Sequence, residues 1–324
     1  MTYKPPFQIN STILKLSQEI ARELGAISGT KLDFAPIKLR KINNIKTVQA
    51  SLAIEGNTLS IGQVSDVFDG KRVLGPKKDI MEVKNAIEVY KNLSILNPLS
   101  YQDMLKAHAI LMNGLVLSAG KWRTGGVGIF KGKEVAHLPP PAKRVPVLMQ
   151  ELFNFLSEEN DITWILKACI FHYELEFIHP FEDGNGRIGR LWQQLVLMKE
   201  DPVFEYISVE ELIKEKQQEY YAVLGECDRA GDSTEFIEFS MLQILNALKS
   251  YNKPENINKL DAESRLHYAM NKLHNSWFSR KDYALVHSDI SSATASRDLL
   301  FGIKNKILDK KGEKNQAVYK FKSR

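Results

Sequence analysis

His179-Pro-Phe-Glu-Asp-Gly-Asn-Gly-Arg-Ile-Gly-Arg190 gathers one imidazole, two adjacent carboxylates, three glycines and two arginines into twelve positions. The stretch lies between an apolar run ending near Phe177 and another starting near Ile188, so it reads as a loop feeding a helix. Each residue type has work to do on a nucleotide. A histidine near neutral pH accepts a proton from an attacking hydroxyl, and a carboxylate holds the Mg²⁺ that accompanies a triphosphate. Glycines let backbone N–H groups approach an anion at a helix N-terminus, where the helix dipole adds to the attraction. Arg187 and Arg190, three apart, share a helix face.

Outward from this joint the periodicity is helical. Asn10 or Ser11 stands where it caps a helix with Ile13, Leu14, Leu16, Ile20 and Leu24 at helical spacing. A second stretch runs from about 36 to 54 and breaks at Glu55-Gly56-Asn57, and further patterns cover roughly 79–96, 101–112, 145–156, 162–177, 187–199, 209–228 and 235–248. The body of the chain is therefore predicted to be mainly α. One segment departs from this rule: Gly125 to Pro141 carries short β-prone runs on either side of Lys131-Gly132-Lys133, a hairpin signature.

At 324 residues the chain is long enough for two domains. Its start lacks the layout of a signal peptide and no apolar run approaches a membrane span, which predicts a cytoplasmic protein with no membrane partner. Cys169 and Cys227 are its two cysteines and lie far apart on helical patterns, excluding a disulfide framework. The net charge of +5 is unevenly spread, with +7 in residues 251–324 and −2 in residues 1–250. Residues 251–258, marked by Lys253-Pro254-Glu255, read as a linker. Residues 259–324 follow with short helices, a Ser/Thr-rich helix carrying Arg297-Asp298, a basic turn and the alternation Ala317 to Phe321. That order resembles a winged helix-turn-helix domain. Such domains bind DNA through the second helix or serve in docking and homodimerisation, and both uses stand side by side here.

Two competing motifs are excluded by context. Gly184-Asn-Gly-Arg-Ile-Gly189 has the spacing of a dinucleotide fingerprint, but it follows a helical pattern instead of a buried strand. His172-Tyr-Glu174 mimics part of a zinc deaminase signature without the paired cysteines, so His172 reads as a histidine packed between helices.

Residues 179–190 match the Fic family pattern H-P-F-x-[D/E]-G-N-G-R-x-x-R at every fixed position, and the chain resembles that family over most of residues 1–250. The resemblance implies a Fic-type helical bundle in which the hairpin at 125–141 is a flap that holds a target segment by strand addition. It implies a protein adenylyltransferase, moving AMP from ATP to a Tyr, Ser or Thr hydroxyl of an unidentified target protein, with self-modification as one outcome. His179 would be the general base and Asp183 the Mg²⁺ ligand. Gly184, Asn185 and Gly186 would meet the α-phosphate, and Arg187 and Arg190 the β- and γ-phosphates. Glu182 would face solvent, with Pro180 and Phe181 shaping the loop. Gly186 stands where the phosphorylating relatives carry lysine, which favours adenylylation. Tyr221, or its neighbour Tyr220, is a candidate wall for the adenine, with core packing expected for at least one of the two.

Ser51-Leu-Ala-Ile-Glu55-Gly56 also fits the family's inhibitory pattern [S/T]-x-x-x-E-[G/N], with Ser51 and Glu55 one helical turn apart. By that resemblance Glu55 pairs with Arg190 and fills the space of the γ-phosphate; on the residues alone the hexapeptide is also a helix end closed by Gly56. Two other functions compete: removal of AMP with Glu55 aligning a water, and a DNA-binding regulator whose Fic core is vestigial.

Overall fold

The computed structural model of the chain describes residues 5–28, 37–131, 134–158, 161–252, 262–273, 276–287, 290–313 and 316–322. The described residues divide into two compact units, one drawn from 5–25 and 42–249, the other from 26–41 and 250–322.

The first unit is mainly α, as the periodicity predicts. Helix α1 (Ser11–Ser28) starts where Asn10 Oδ1 accepts from the Ile13 N–H at 3.0 Å, so Asn10 is the cap. Ile13, Leu16, Ile20 and Leu24 are buried, whereas Leu14 lies on the exposed face. Helix α2 (Ile37–Ile54) ends one residue before Glu55, and Gly56 adopts φ 87°, the left-handed conformation of a helix stop. Helix α3 (Ile61–Phe68) was outside the expected set. Its eight residues are too few to show a period, and a capping box between Ser60 and Gln63 starts it. Helices α4 (Lys77–Lys91) and α5 (Tyr101–Leu111) follow.

Strands β1 (Ile129–Lys131) and β2 (Glu134–His137) pair antiparallel, Phe130 opposite Val135, with an irregularity between Ile129 and Phe130. Gly132 and Lys133 of the expected turn lie outside the described residues. Beyond the hairpin come α6 (Val145–Ser157), α7 (Trp164–Ile178), α8 (Asn185–Glu200), α9 (Val209–Glu215), α10 (Gln217–Ala230) and α11 (Thr234–Tyr251). The single helix expected over 209–228 is two, because Lys216 at φ −111°, ψ 26° leaves helical geometry.

Helix α7 is the axis of this unit. Residues Ile165 to Leu175 are all buried, including Lys167, His172 and Glu174, as befits a helix apolar on every side. It packs along α8, which buries Ile188, Leu191, Trp192, Leu195 and Val196. Phe153 stands edge-on to both Phe171 and Trp192, and Trp192 donates its indole N–H to the Pro98 carbonyl at 2.9 Å. His172 is held between Gln193 Oε1 at 2.7 Å and the Tyr220 hydroxyl at 3.1 Å, and both cysteines are buried and free.

In the second unit α12 (Ala262–Leu273), α13 (Arg280–Val286) and α14 (Ser292–Lys304) accompany strands β3 (Phe278–Ser279), β4 (Leu308–Lys311) and β5 (Val318–Phe321), which form an antiparallel sheet of order β3-β5-β4. Leu266, Phe278, Tyr283, Leu299, Leu308 and Phe321 make its core. The buried Asp298 carboxylate is satisfied by Arg265 Nε and Nη2 at 2.6 and 2.7 Å and by the Tyr283 hydroxyl at 3.2 Å. Residues 253–258 of the expected linker lie outside the described residues; Tyr251, expected in the linker, is the last residue of α11, and Asn252 follows it as a turn. Among the described residues no helix is long and apolar enough to cross a membrane.

Candidate active site

The loop 179–184 joins α7 to α8, and its geometry begins with a strained residue. His179, the C-cap of α7, adopts φ 49°, ψ 60°. A non-glycine residue there costs about 1–3 kcal/mol unless its surroundings fix it. Three contacts do so. Its N–H donates to the Leu175 carbonyl at 2.9 Å, its carbonyl accepts from Arg123 Nε at 2.7 Å, and its Nδ1 lies 3.3 Å from the Glu176 carbonyl. A carbonyl only accepts, so Nδ1 carries the hydrogen and the neutral imidazole keeps its lone pair on Nε2.

The rest of the loop braces itself. Asn185 Oδ1 accepts from the Phe181 N–H at 2.9 Å and its Nδ2 donates to the Phe181 carbonyl at 3.0 Å. Phe181 stacks on His108 with ring centroids 3.6 Å apart. His108 Nδ1 accepts from the Gly120 N–H at 2.9 Å, which leaves Nε2–H to donate to the Asp183 carbonyl at 2.9 Å. Burial lowers the His108 pKa to about 4, with the Asp183 carbonyl opposing that shift and the Arg187 charge adding to it. Gly184 takes φ 85°, and a Cβ there would meet Met112 Sδ at 2.7 Å, so glycine is required on both counts. Helix α8 then starts at Asn185, which leaves the amides of its first turn without intrahelical acceptors at the positive end of the dipole.

Two arginines of this helix reach three carboxylates. Arg187 Nη2 donates to Asp183 Oδ1 at 2.8 Å and Nη1 to Glu82 Oε1 at 3.1 Å; the other Glu82 oxygen accepts from Asn57 Nδ2 at 2.8 Å. Asp183 Oδ1 also takes the Gly184 N–H at 2.6 Å, while half of its side chain is exposed. Arg190 is buried. Its Nε donates to Ser51 Oγ at 3.1 Å, and its Nη2 to the Ser51 carbonyl at 3.0 Å and Glu55 Oε1 at 2.7 Å. Burial pulls its pKa down, but the Glu55 carboxylate, by charge and hydrogen bond, with the Glu176 charge behind it, holds it above the ordinary arginine value. A buried guanidinium needs such a partner. Glu55 Oε1 also fills the volume beside Gly186 where any side chain would stand.

Tyr220 is buried in the core, and Tyr221 on the same helix is half exposed, with its hydroxyl 3.4 Å from the Ile54 carbonyl at the end of α2. Burial raises its pKa to about 12, with Glu55 adding to the shift. Glu182 is exposed and accepts from the Ser118 hydroxyl. The N-terminus of α8 thus brings together His179, Asp183, Gly184, Asn185, Gly186, Arg187 and Arg190, and the end of α2 adds Ser51, Glu55 and Gly56. Three residues that sequence reasoning missed belong to the same cluster: Glu82, His108 and Arg123. Each is a buried polar residue, and nothing in its local sequence distinguishes it.

The Fic/DOC family model matches residues 98–197, which contain this loop, α7 and most of α8. The chain is 33% identical over 206 residues to the protein adenylyltransferase fic-1 of Caenorhabditis briggsae, a match that covers 59% of this chain but spans only 38% of that protein's length. It is 28% identical over 228 residues to a probable protein adenylyltransferase of Aquifex aeolicus, covering 62% and 68% of the two chains. Among solved structures, Fic-1 of C. elegans aligns with a TM-score of 0.61 at 27% identity, over 74% of this chain and 70% of that one. The crystal structure of a Fic family protein from Desulfovibrio desulfuricans aligns with a TM-score of 0.74 at 36% identity, over 99% of both chains. Agreement across two full chains, with the matched segment falling on His179 and its bracing helices, means that the chain belongs to the Fic family.

Proposed function

We propose that this protein transfers AMP from ATP to a hydroxyl of a target protein, itself included, and that Glu55 restrains the reaction. The observation that carries this reading is that one loop and the helix it feeds supply His179, Asp183, Arg187 and Arg190, with Asp183 bonded to Arg187 and Glu55 to Arg190. In this mechanism the acceptor oxygen attacks the α-phosphorus while His179 Nε2 takes its proton. The bond to the bridging β-phosphate oxygen breaks, and pyrophosphate leaves. The amides of Gly186 and Arg187 meet the charge that grows on the α-phosphate oxygens. Asn185 contributes by bracing the loop, since both ends of its amide are bonded to Phe181. Arg187 and Arg190 hold the β- and γ-phosphates once Glu82 and Glu55 yield, and Tyr221 flanks the adenine.

Asp183 suits a Mg²⁺ ion. Its Oδ1 is pinned by Arg187 and Gly184 and its half-exposed side chain offers Oδ2, an anionic oxygen of the type that ion prefers. Bound Mg²⁺ would neutralise phosphate charge. We read the hairpin of β1 and β2, whose second strand approaches α10, as the platform for the acceptor segment. We read residues 262–322 as a winged helix, an interpretation supported by three helices and a three-stranded antiparallel sheet, and serving DNA contact or docking.

The test supplies the protein with Mg²⁺ and each of ATP, CTP, GTP and UTP labelled at the α-phosphate, with a cell lysate as acceptor. Label from ATP is expected on protein, and His179→Ala abolishes it with unchanged thermal stability. Transfer from γ-labelled ATP, or full labelling by the alanine variant, contradicts the reading.

A further inference from the structure

Arg123, between α5 and β1, is a buried cation at 3% exposure whose hydrogen bonds among the described residues all run to main-chain carbonyls. Nε donates to His179 at 2.7 Å, Nη1 to Gly125 at 3.0 Å, and Nη2 to Ile178 at 3.3 Å and to Pro140. Its own N–H donates to the Pro180 carbonyl at 2.9 Å. No carboxylate is among these partners, and burial pulls its pKa below the ordinary arginine value. A buried charge without a counter-ion is costly to keep, so what its planar fork joins matters.

It joins three pieces of chain. Gly125 stands before β1 and Pro140 after β2, so the two acceptors are the two ends of the hairpin. Ile178 is the last residue of α7 and His179 its C-cap, where the terminal carbonyls have no intrahelical donors and the negative dipole end favours a cation. One guanidinium therefore caps α7 from a distant part of the chain, fixes the left-handed turn at His179 and clamps the base of the hairpin.

We propose that Arg123 is a positioning residue that ties both ends of the hairpin to the His179 backbone, so that an acceptor strand docked on the hairpin is held in register with the imidazole that takes its proton. The acceptor strand rests on the AMP-transfer reading given above; the mechanical tie does not. Lysine is a poor substitute, because its three donors sit on one compact nitrogen, whereas Arg123 reaches its carbonyls from three separate nitrogens of a planar fork.

The experiment compares the full chain with Arg123→Gln and Arg123→Lys by hydrogen exchange of amides 125–138, ATP affinity by calorimetry, and the rate of AMP transfer to protein. Both variants are expected to speed exchange in the hairpin and to lower the transfer rate by roughly tenfold or more, as for loss of charge-assisted bonds, while ATP affinity stays within about twofold of wild type. A merely structural arginine would lose ATP binding and thermal stability in step with the rate, and that result overturns the proposal. So do unchanged hairpin exchange or a failure of both variants to fold. If the wild-type protein moves no AMP, the functional reading fails separately, and hairpin exchange with ATP affinity alone decides the role of Arg123.

Discussion

Glu55 Oε1 lies 2.7 Å from Arg190 Nη2 and fills the space that a side chain on residue 186 would need. Two sequence patterns 135 residues apart therefore meet at a glycine. The contact explains why a charged side chain buried to 1% exposure is tolerated, since Ser51 and Glu55 together satisfy Nε and Nη2. On the function proposed above it also implies a competition, because an anionic phosphate and the Glu55 carboxylate would want the same donor.

Arg187 has an equivalent partner in Glu82, whose side chain is 8% exposed. Glu82→Ala would strand part of a buried guanidinium and Asn57 Nδ2. Asp183 remains to share the charge, so the expected loss is about 3 kcal/mol, at the low end for a broken buried pair. That corresponds to a fall in Tm on the order of 6–12 °C for a unit of this size. Lys78, 70% exposed and 3.9 Å from the same carboxylate, serves as the control: Lys78→Ala is expected to leave Tm unchanged. Equal Tm values for wild type and Glu82→Ala would show that Arg187 needs no partner on α4.

His108 gives the fold an acid sensitivity with a definite sign. Its folded pKa of about 4 is below the ordinary histidine value of 6.5, so its contribution is fully present above pH 6.5 and is lost as pH falls towards 4. The size is about 3 kcal/mol over that window. Protonation would cost the acceptor that Nδ1 offers to Gly120. Glu210 works the other way: burial raises its pKa to about 7, so its stabilising share is lost as pH rises through neutrality. Comparing wild type with His108→Gln cancels the Glu210 effect. The Tm gap between the two proteins should narrow steadily from pH 7 to pH 4.5; parallel curves would remove His108 as the sensing group.

Much of the site was legible because its chemistry is local. His179 to Arg190 carries its residue types within one loop and one helical turn, and Ser51 to Gly56 does the same at the end of α2. What stayed hidden was long-range. Arg123 acts on a carbonyl 56 residues away and Glu82 on a guanidinium 105 residues away, and neither spacing leaves a trace in the sequence. The left-handed turn at His179 was equally invisible, since histidine's mild tolerance of positive φ does not announce one; the contacts of Arg123, Leu175 and Glu176 help to hold it. In the fold, the period found α7 and α8 but not the eight-residue α3, and it ran through the break at Lys216 because a single non-helical residue does not disturb apolar spacing.

The account stands most directly on one measurement: the rate of AMP incorporation into protein by Glu55→Gly and by wild type, at saturating Mg-ATP, with Tm recorded for both. On the proposed function, removing the carboxylate would free Arg190 for the γ-phosphate. A charge-assisted contact of this kind contributes about 1.5–3 kcal/mol, so the rate should rise roughly 10- to 100-fold, with no rise in Arg190→Ala, which lacks the phosphate ligand as well as the inhibitor's partner. An unchanged rate in a stably folded Glu55→Gly protein would contradict the account and leave Ser51 to Gly56 as no more than the end of a helix.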